Sequence, residues 1–259
     1  MPLDLDRQRN LGELVGLTLE LFGRHLATFL TLTFIVVAPL VIIVDGAWVG
    51  TLADGGDAEG TWGAALTSGA LSLFVIPALV TALHVVAVQG LARGEAPTVM
   101  GTLRGAAPRL PAAVGAVGLY VVAVICGLIL LVVPGVWLAV RWYFAAQAAV
   151  VDGLGPVPAL ERSAEVVNTR WWRTLGVLFA FALVVTVPGA IIGEILRAVD
   201  NGAIYTAAYV CLQAVLLSLT AIFGTLLFFD SRARTSLPWQ GTMQTEWTLP
   251  ERPIQPPRI

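Results

Sequence analysis

The chain contains no lysine, and only 12% of its 259 residues are charged, against about 25% in a typical soluble domain. This is too little charge to cover the surface of one or two soluble domains, so the composition excludes a soluble globular protein. All 15 basic residues are arginine, which we interpret as the bias of a GC-rich bacterial genome rather than a binding signal. The arginines are spread along the chain, so we expect no nucleic-acid partner.

Histidine and cysteine are also scarce, with two of each. His25 and His84 lie in separate segments. Cys126 and Cys211 lie in apolar runs without a clustered partner, which favours small hydrophobic roles over a disulfide or a metal site. No short motif of metal-dependent, nucleotide-binding or nucleophilic hydrolytic enzymes occurs. We therefore expect no enzymatic activity, no catalytic residue, no metal and no cofactor.

Long apolar runs are what the chain has instead. Between Glu59 and Arg93 there are 33 consecutive residues without a formal charge, whereas about 20 apolar residues of helix suffice to cross a bilayer. Comparable runs predict six transmembrane helices, over residues 26–44, 64–91, 112–133, 135–151, 174–193 and 203–229. The predicted fold class is all-α, a polytopic helical membrane protein.

The third and fourth spans are separated only by Pro134-Gly135. A helix over all of residues 110–151 would extend about 63 Å, roughly twice the thickness of the bilayer core. Because this pair of residues ends helices and turns the chain, we predict a tight helical hairpin there.

Arginine counting predicts the orientation. With the N-terminus in the cytoplasm, thirteen arginines fall on the inner side and only Arg197 falls in an outer connection. We therefore predict a multi-pass protein of the bacterial inner membrane with both termini cytoplasmic. Residues 1–230 form the predicted six-span domain, and residues 231–259 form a disordered, Pro-rich cytoplasmic tail.

Three inner segments have helical amphipathic patterns, at residues 11–24, 99–110 and 157–171. Each is predicted either to lie flat in the headgroup region or to pack on the base of the bundle.

The same segments suggest an internal repeat. Each contains an arginine ten residues after an apolar residue and precedes a hairpin with a similar turn, at residues 44–47, 133–136 and 187–190. This pattern predicts three copies of an amphipathic helix followed by a helical hairpin, although convergence on a common hairpin geometry explains it equally.

Four residues are candidates for ligand binding or gating. Arg141 lies within a predicted span, where a charged side chain either faces a cavity or partner, or snorkels to the headgroups. Glu194, at the outer end of the fifth span, lies at a depth suited to pairing with it. His84 and Gln147 are polar groups in inner halves of spans. We expect them to form hydrogen bonds between helices, with a proton relay as the alternative.

Five stretches of the sequence carry a resemblance to a known group of proteins: residues 11–13, 21–25, 133–142, 159–163 and 171–176. The chain resembles a broad group of bacterial six-span membrane proteins of unassigned function. That group includes the membrane region fused to some glycerophosphoryl diester phosphodiesterases. The resemblance implies an integral membrane protein and transfers no catalytic residue, because the phosphodiesterase barrel is not in this sequence.

Two functional hypotheses follow. The first is a non-enzymatic protein that organises the membrane or binds partners, with membrane lipids and possible protein partners in the membrane. It is favoured by the amphipathic helices and the few polar groups inside the spans. The alternative is a transporter or channel for a small or lipidic solute, which Arg141 and the proline-interrupted spans favour.

Overall fold

The computed structural model describes residues 4–5, 7–53, 63, 66, 69–198 and 202–235, and of residues 41–53, 202, 203 and 206 it describes the backbone alone. All regular elements in these ranges are helices, which confirms the all-α prediction. They are α1 (Leu11–Arg24), α2 (Leu26–Ala53), α3 (Ile76–Ala92), α4 (Val99–Ala106), α5 (Leu110–Leu130), α6 (Val132–Arg141), α7 (Ala145–Val151), α8 (Pro156–Asn168), α9 (Trp171–Arg197) and α10 (Gly202–Thr235). A π-helical turn, Leu71–Val75, leads into α3.

Helix ends follow local sequence signals. Asn10 and Glu13 form a capping box at the start of α1, in which each side chain accepts a hydrogen bond from the backbone N–H of the other residue. The hydroxyl of Thr98 accepts a hydrogen bond from Gly101 N at the start of α4. Gly153 turns the chain between α7 and α8 with φ +66°, a conformation that favours glycine.

Within the described residues, four helices are long and apolar enough to cross a membrane. They are Leu71–Ala92 (the π-helical turn with α3), Val99–Leu130 (α4 with α5), Trp171–Arg197 (α9) and Ala207–Thr235 (most of α10). A fifth is possible if α1 and the first part of α2 count as one bent span, although their axes differ by 86°. Most of the predicted tail, residues 236–259, lies outside the described residues, as do the start of the predicted second span and residues 199–201.

The predicted fourth span is not one helix. Residues 135–151 are divided between α6 and α7, with a break at Trp142, Tyr143 and Phe144. The predicted hairpin is present, but the chain turns at Leu131, whose backbone is extended. Pro134 lies instead in the first turn of α6, where its missing N–H costs no helical hydrogen bond.

The other two predicted hairpin turns are wrong. The backbone of residues 44–47 is helical within α2, and Pro188 lies inside α9. A proline inside a long apolar helix is tolerated where neighbouring groups compensate for the lost hydrogen bond. The similarity of the three turn sequences therefore does not correspond to three similar turns.

The depth of α6 relative to the start of α9 also differs from the prediction. Trp171 Nε1 donates a hydrogen bond to Trp137 O at 3.3 Å, so the start of α9 contacts α6. The predicted spans put these two tryptophans near opposite membrane faces, about 30 Å apart. That placement is wrong. The hairpin turn at Leu131 lies only about 9 Å along α6 from this contact.

Two buried aspartates hold one end of the bundle together. We call this cluster the ionic layer, and it consists of Asp152, Asp230, Arg162, Arg173, Arg232 and Arg234. Asp152 pairs with Arg162 at 3.2 Å and with Arg232 at 3.3 Å. Asp230 pairs with Arg173 at 2.9 Å and with Arg234 at 3.0 Å. Both carboxylates are fully buried, so each depends on its arginines for charge compensation.

The N-terminal segment joins the same layer. Arg9 N donates to Asp230 Oδ1 at 2.6 Å, and Arg9 O accepts a hydrogen bond from Arg234 at 2.6 Å. The residues before α1 therefore lie beside the end of α10.

The three amphipathic segments form α1, α4 and α8, as predicted. Their apolar faces pack against the bundle, because Leu14 of α1, Ala106 of α4 and Val167 of α8 are fully buried. This arrangement supports packing on the base of the bundle over a helix that lies free in the headgroups. Cys126 and Cys211 are free and exposed on the surface of the bundle.

The hairpin between α5 and α6 depends on a glycine contact that can be tested. A Cβ atom on Gly135 would lie 2.6 Å from Leu128 N, which cannot move without shifting α5. We expect Gly135→Ala to destabilise the purified protein by about 1–3 kcal/mol in thermal unfolding in detergent. Gly176→Ala on α9 is the matched control, because no atom lies within 4 Å of its added methyl group. Equal stability of the two variants would contradict this packing.

The ionic layer gives a second prediction. Asp230→Asn removes the charge that compensates Arg173 and Arg234, and we expect a loss of about 3–5 kcal/mol in the same unfolding measurement. Glu194→Gln is the control, because Glu194 and its partner Arg197 are 68% and 67% exposed. The control should change stability by less than about 1 kcal/mol. A larger effect for the control would show that burial does not determine the strength of these pairs.

Candidate functional site

The break between α6 and α7 is stabilised by one serine. Ser163 of α8 donates its hydroxyl hydrogen to Arg141 O at 3.0 Å and accepts a hydrogen bond from Phe144 N at 3.1 Å. The hydroxyl therefore satisfies two backbone groups that a continuous helix would have paired internally. Contacts with α8 therefore stabilise the break. At the break, Tyr143 and the start of α7 face the cavity described next.

A cavity of about 220 Å³ lies next to this break. Its walls come from the π-helical turn before α3, from α3, α5, α7 and α10, and from the break itself. Most of the wall is aliphatic. The polar groups that line it are Thr81, Tyr120, Tyr143, Gln147 and Thr220, and none of the described lining residues is charged.

Gln147 contributes the one buried acceptor of this cavity that has no partner. The residue is only 4% exposed, and its Oε1 atom has no hydrogen-bond partner among the described residues. A buried, unpaired amide oxygen costs about 1–3 kcal/mol. The amide lies close to α10. A Cβ atom on Gly224 would lie 2.9 Å from Gln147 Nε2. A larger residue at position 224 would therefore require the amide of Gln147 to shift.

Two irregular helical segments meet at this cavity. Leu73 of the π-helical turn lines one side, and Tyr143 of the helix break lines another. Isolated π-helical turns occur frequently at functional sites. Broken helices inside a membrane are found where they line a binding site or cavity. The cavity is therefore the best candidate for a functional site in the described part of the chain.

His84 lies outside the cavity wall. It is completely buried on α3, where its Nδ1–H donates to Val80 O at 2.8 Å, and its ring stacks on Phe29 of α2 at 5.2 Å. Its hydrogen bond is thus within its own helix rather than between helices. Its Nε2 atom has no partner among the described residues.

Arg141 and Glu194 do not come together. Arg141 donates to Asn168 Oδ1 at 3.3 Å and stacks on the ring of Trp137 at 4.8 Å. Glu194 pairs with Arg197 at 3.0 Å on the surface. The predicted pair of Arg141 and Glu194 is replaced by these partners, because the break and the contact with Trp171 keep Arg141 beside α8. Of the four candidates, Gln147 alone lines the cavity.

Sequence reasoning missed the other polar residues of the cavity. Tyr120, Tyr143 and Thr220 are separated by long stretches of chain, and each is ordinary in an apolar helix. Ser163 was overlooked because a serine on an amphipathic helix gives no signal of a backbone break on another helix. Only Tyr143 offered a hint, since it lies in a polar-aromatic stretch directly after Arg141.

The described chain is a helical bundle with helices long and apolar enough to cross a membrane, as in membrane proteins. Residues 86–230 match the model of a family described as "Domain of unknown function (DUF7847)", and the chain belongs to that family. The match includes Tyr120, Tyr143 and Gln147 but ends before Arg232. No curated protein and no solved structure matches the chain.

The unpaired amide allows a test of whether the cavity serves stability or binding. Gln147→Leu removes an unsatisfied buried acceptor and retains a side chain of similar size. We therefore expect the variant to unfold at the same temperature as the wild type or at a higher one. The measurement is thermal unfolding of both proteins in ligand-free detergent. A loss of more than about 2 kcal/mol would show that the amide is a structural group instead.

Proposed function

We propose that this chain is an integral membrane protein that binds a small, uncharged solute or lipid group in the Gln147 cavity, as the first step of moving or presenting it within the bilayer. The observation that carries this proposal is the buried, unpaired Oε1 atom of Gln147. A ligand that donates a hydrogen bond to this atom would remove its desolvation cost.

The composition of the wall supports an uncharged ligand. A charged ligand would lose its hydration on entering a cavity with a mostly apolar wall. The described lining residues offer no opposite charge, so the desolvation cost would be large. The volume of about 220 Å³ is below the range of about 300–1,000 Å³ that is usual for drug-sized ligands. A short amphiphile with one hydroxyl or amide group fits both properties.

Photolabelling with a diazirine derivative of octanol tests this proposal in detergent or nanodiscs. We expect labelling of peptides that contain Tyr120 or Tyr143, and we expect excess octanol to reduce it. For Gln147→Leu we expect that about five- to tenfold more octanol is needed for the same protection, because the amide's hydrogen bond is lost. Gly176→Leu, on the exposed surface of α9, should leave both labelling and protection unchanged.

Labelling that is spread evenly over lipid-facing helices and not reduced by octanol would contradict the proposal. Equal protection of the wild type and Gln147→Leu would also contradict it.

The orientation is part of the same proposal. We place both termini on the cytoplasmic side of a bacterial inner membrane, with the polypeptide crossing an even number of times. The contact between Arg9 and Asp230 supports this, because it brings the N-terminal segment next to the end of α10. The arginines of the ionic layer lie at that same end, as expected for the inner side. Six spans, the threefold repeat, the absence of enzymatic activity and the likeness to phosphodiesterase-linked membrane regions stay predictions.

A membrane-organising role is the second candidate. The short helices α1, α4 and α8 each leave one large apolar side chain exposed, with Leu19 at 54%, Met100 at 57% and Val157 at 56%. These side chains are suited to contact with a lipid surface or with a partner in the membrane. Photolabelling that octanol does not reduce would favour this role over solute binding.

A further inference from the structure

A second concave surface lies between α9 and α10, far from the ionic layer. It is a groove of about 460 Å³. The face of α9 that borders it carries Gly189, Ala190 and Gly193, whose small size leaves the space open. A Cβ atom on Gly189 would already lie 2.8 Å from Leu216 of α10, whereas no atom lies within 4 Å of one on Gly193. The helices therefore touch at Gly189 and separate toward Gly193.

The groove opens at the opposite end of the bundle from the ionic layer. Arg173, near the start of α9, belongs to that layer, and Arg197 is the last residue of the helix. Twenty-four residues of helix separate the two arginines, a rise of about 36 Å. This distance slightly exceeds the thickness of a bilayer core, so Arg197 lies at the headgroup level of the other leaflet.

The mouth of the groove carries one negative and one positive group side by side. Arg197 Nη1 lies 3.0 Å and 3.3 Å from the two carboxylate oxygens of Glu194, and both side chains are about two-thirds exposed. Across the groove, Gln213 Nε2 donates to Tyr209 OH at 2.7 Å, and the ring of Tyr209 stacks on that of Tyr205. Tyrosines in this position are typical of the membrane interface.

Below the mouth the wall of the groove is mostly apolar, and Thr186 and Thr220 contribute hydroxyl groups. The groove extends from Arg197 to Val185 on α9, a rise of about 18 Å over twelve residues, and Leu212 and Leu216 border it on α10. One leaflet of hydrocarbon is about 15 Å thick. The whole groove, from its charged mouth to Val185, is therefore about as long as one acyl chain together with its link to the headgroup.

We propose that this groove binds an acyl chain of a zwitterionic phospholipid from the leaflet opposite the ionic layer. Arg197 faces the phosphate and Glu194 faces the ammonium group of the lipid. A zwitterion complements both side chains, whereas an anionic lipid complements only Arg197 and has no cationic group to pair with Glu194. The site is separate from the Gln147 cavity, and it does not depend on the proposed function.

Native mass spectrometry of the full chain, released from nanodiscs, tests the proposal. The nanodiscs contain equal amounts of phosphatidylethanolamine and phosphatidylglycerol with the same acyl chains. We expect the wild type to retain one phospholipid with about fivefold enrichment of phosphatidylethanolamine. Gly193→Leu fills the open part of the groove and should reduce the retained lipid about tenfold. Gly176→Leu, on the same helix and also without an atom within 4 Å, should retain lipid as the wild type does.

A charge variant tests the headgroup assignment separately. Glu194→Gln leaves the groove open, so we expect the same amount of bound lipid but no enrichment of phosphatidylethanolamine. Three results would overturn the proposal. They are a wild-type lipid ratio equal to that of the nanodisc, full lipid retention by Gly193→Leu, and an unchanged enrichment in Glu194→Gln. None of these results affects the octanol labelling test, because Gly193 and Glu194 do not line the Gln147 cavity.

Discussion

The charge compensation of Asp152 and Asp230 is the constraint on which the rest of the structure depends. A carboxylate without solvent exposure is stable only when cations and hydrogen-bond donors are held against it. Its partners here come from α8, from the start of α9, from the end of α10 and from the segment before α1. Because Asp152 directly follows α7, the same constraint determines where the broken segment ends and therefore where Gln147 lies.

The break between α6 and α7 follows from this arrangement and gives the fold its cavity. A helix that ran straight through residues 142–144 would satisfy its own backbone and would need nothing from α8. The chain turns instead, and the hydroxyl of Ser163 replaces the lost hydrogen bonds. The result is a cavity whose mostly aliphatic wall also carries phenol, amide and hydroxyl groups. A buried acceptor without a hydrogen bond carries a desolvation cost in such surroundings. This cost is the physical basis for assigning a ligand to the cavity.

Prediction from sequence succeeded where the signal was local. The apolar patterns of residues 11–24 and 157–171 indicated α1 and α8. It failed where distant side chains decide. A hairpin turn was predicted at residues 187–190, but Pro188 lies inside the continuous helix α9, which packs against α10 at Gly189. Arg141 was predicted to pair with Glu194 or to snorkel to the headgroups, but it contacts Asn168 and Trp137. Gln147 was the one candidate that reached the cavity, and it was chosen for its polarity rather than for any neighbour.

The sequence by itself determined that the described part of this protein is helical and has segments apolar enough to cross a membrane, because hydrophobicity and chain length act residue by residue. Only the tertiary structure decided which helices are broken, which charges are paired and where a cavity remains. Those features arise from contacts between residues such as Arg9 and Asp230, or Tyr120 and Tyr143, that are far apart in the chain. No local pattern encodes them, since each depends on the geometry of several helices at once.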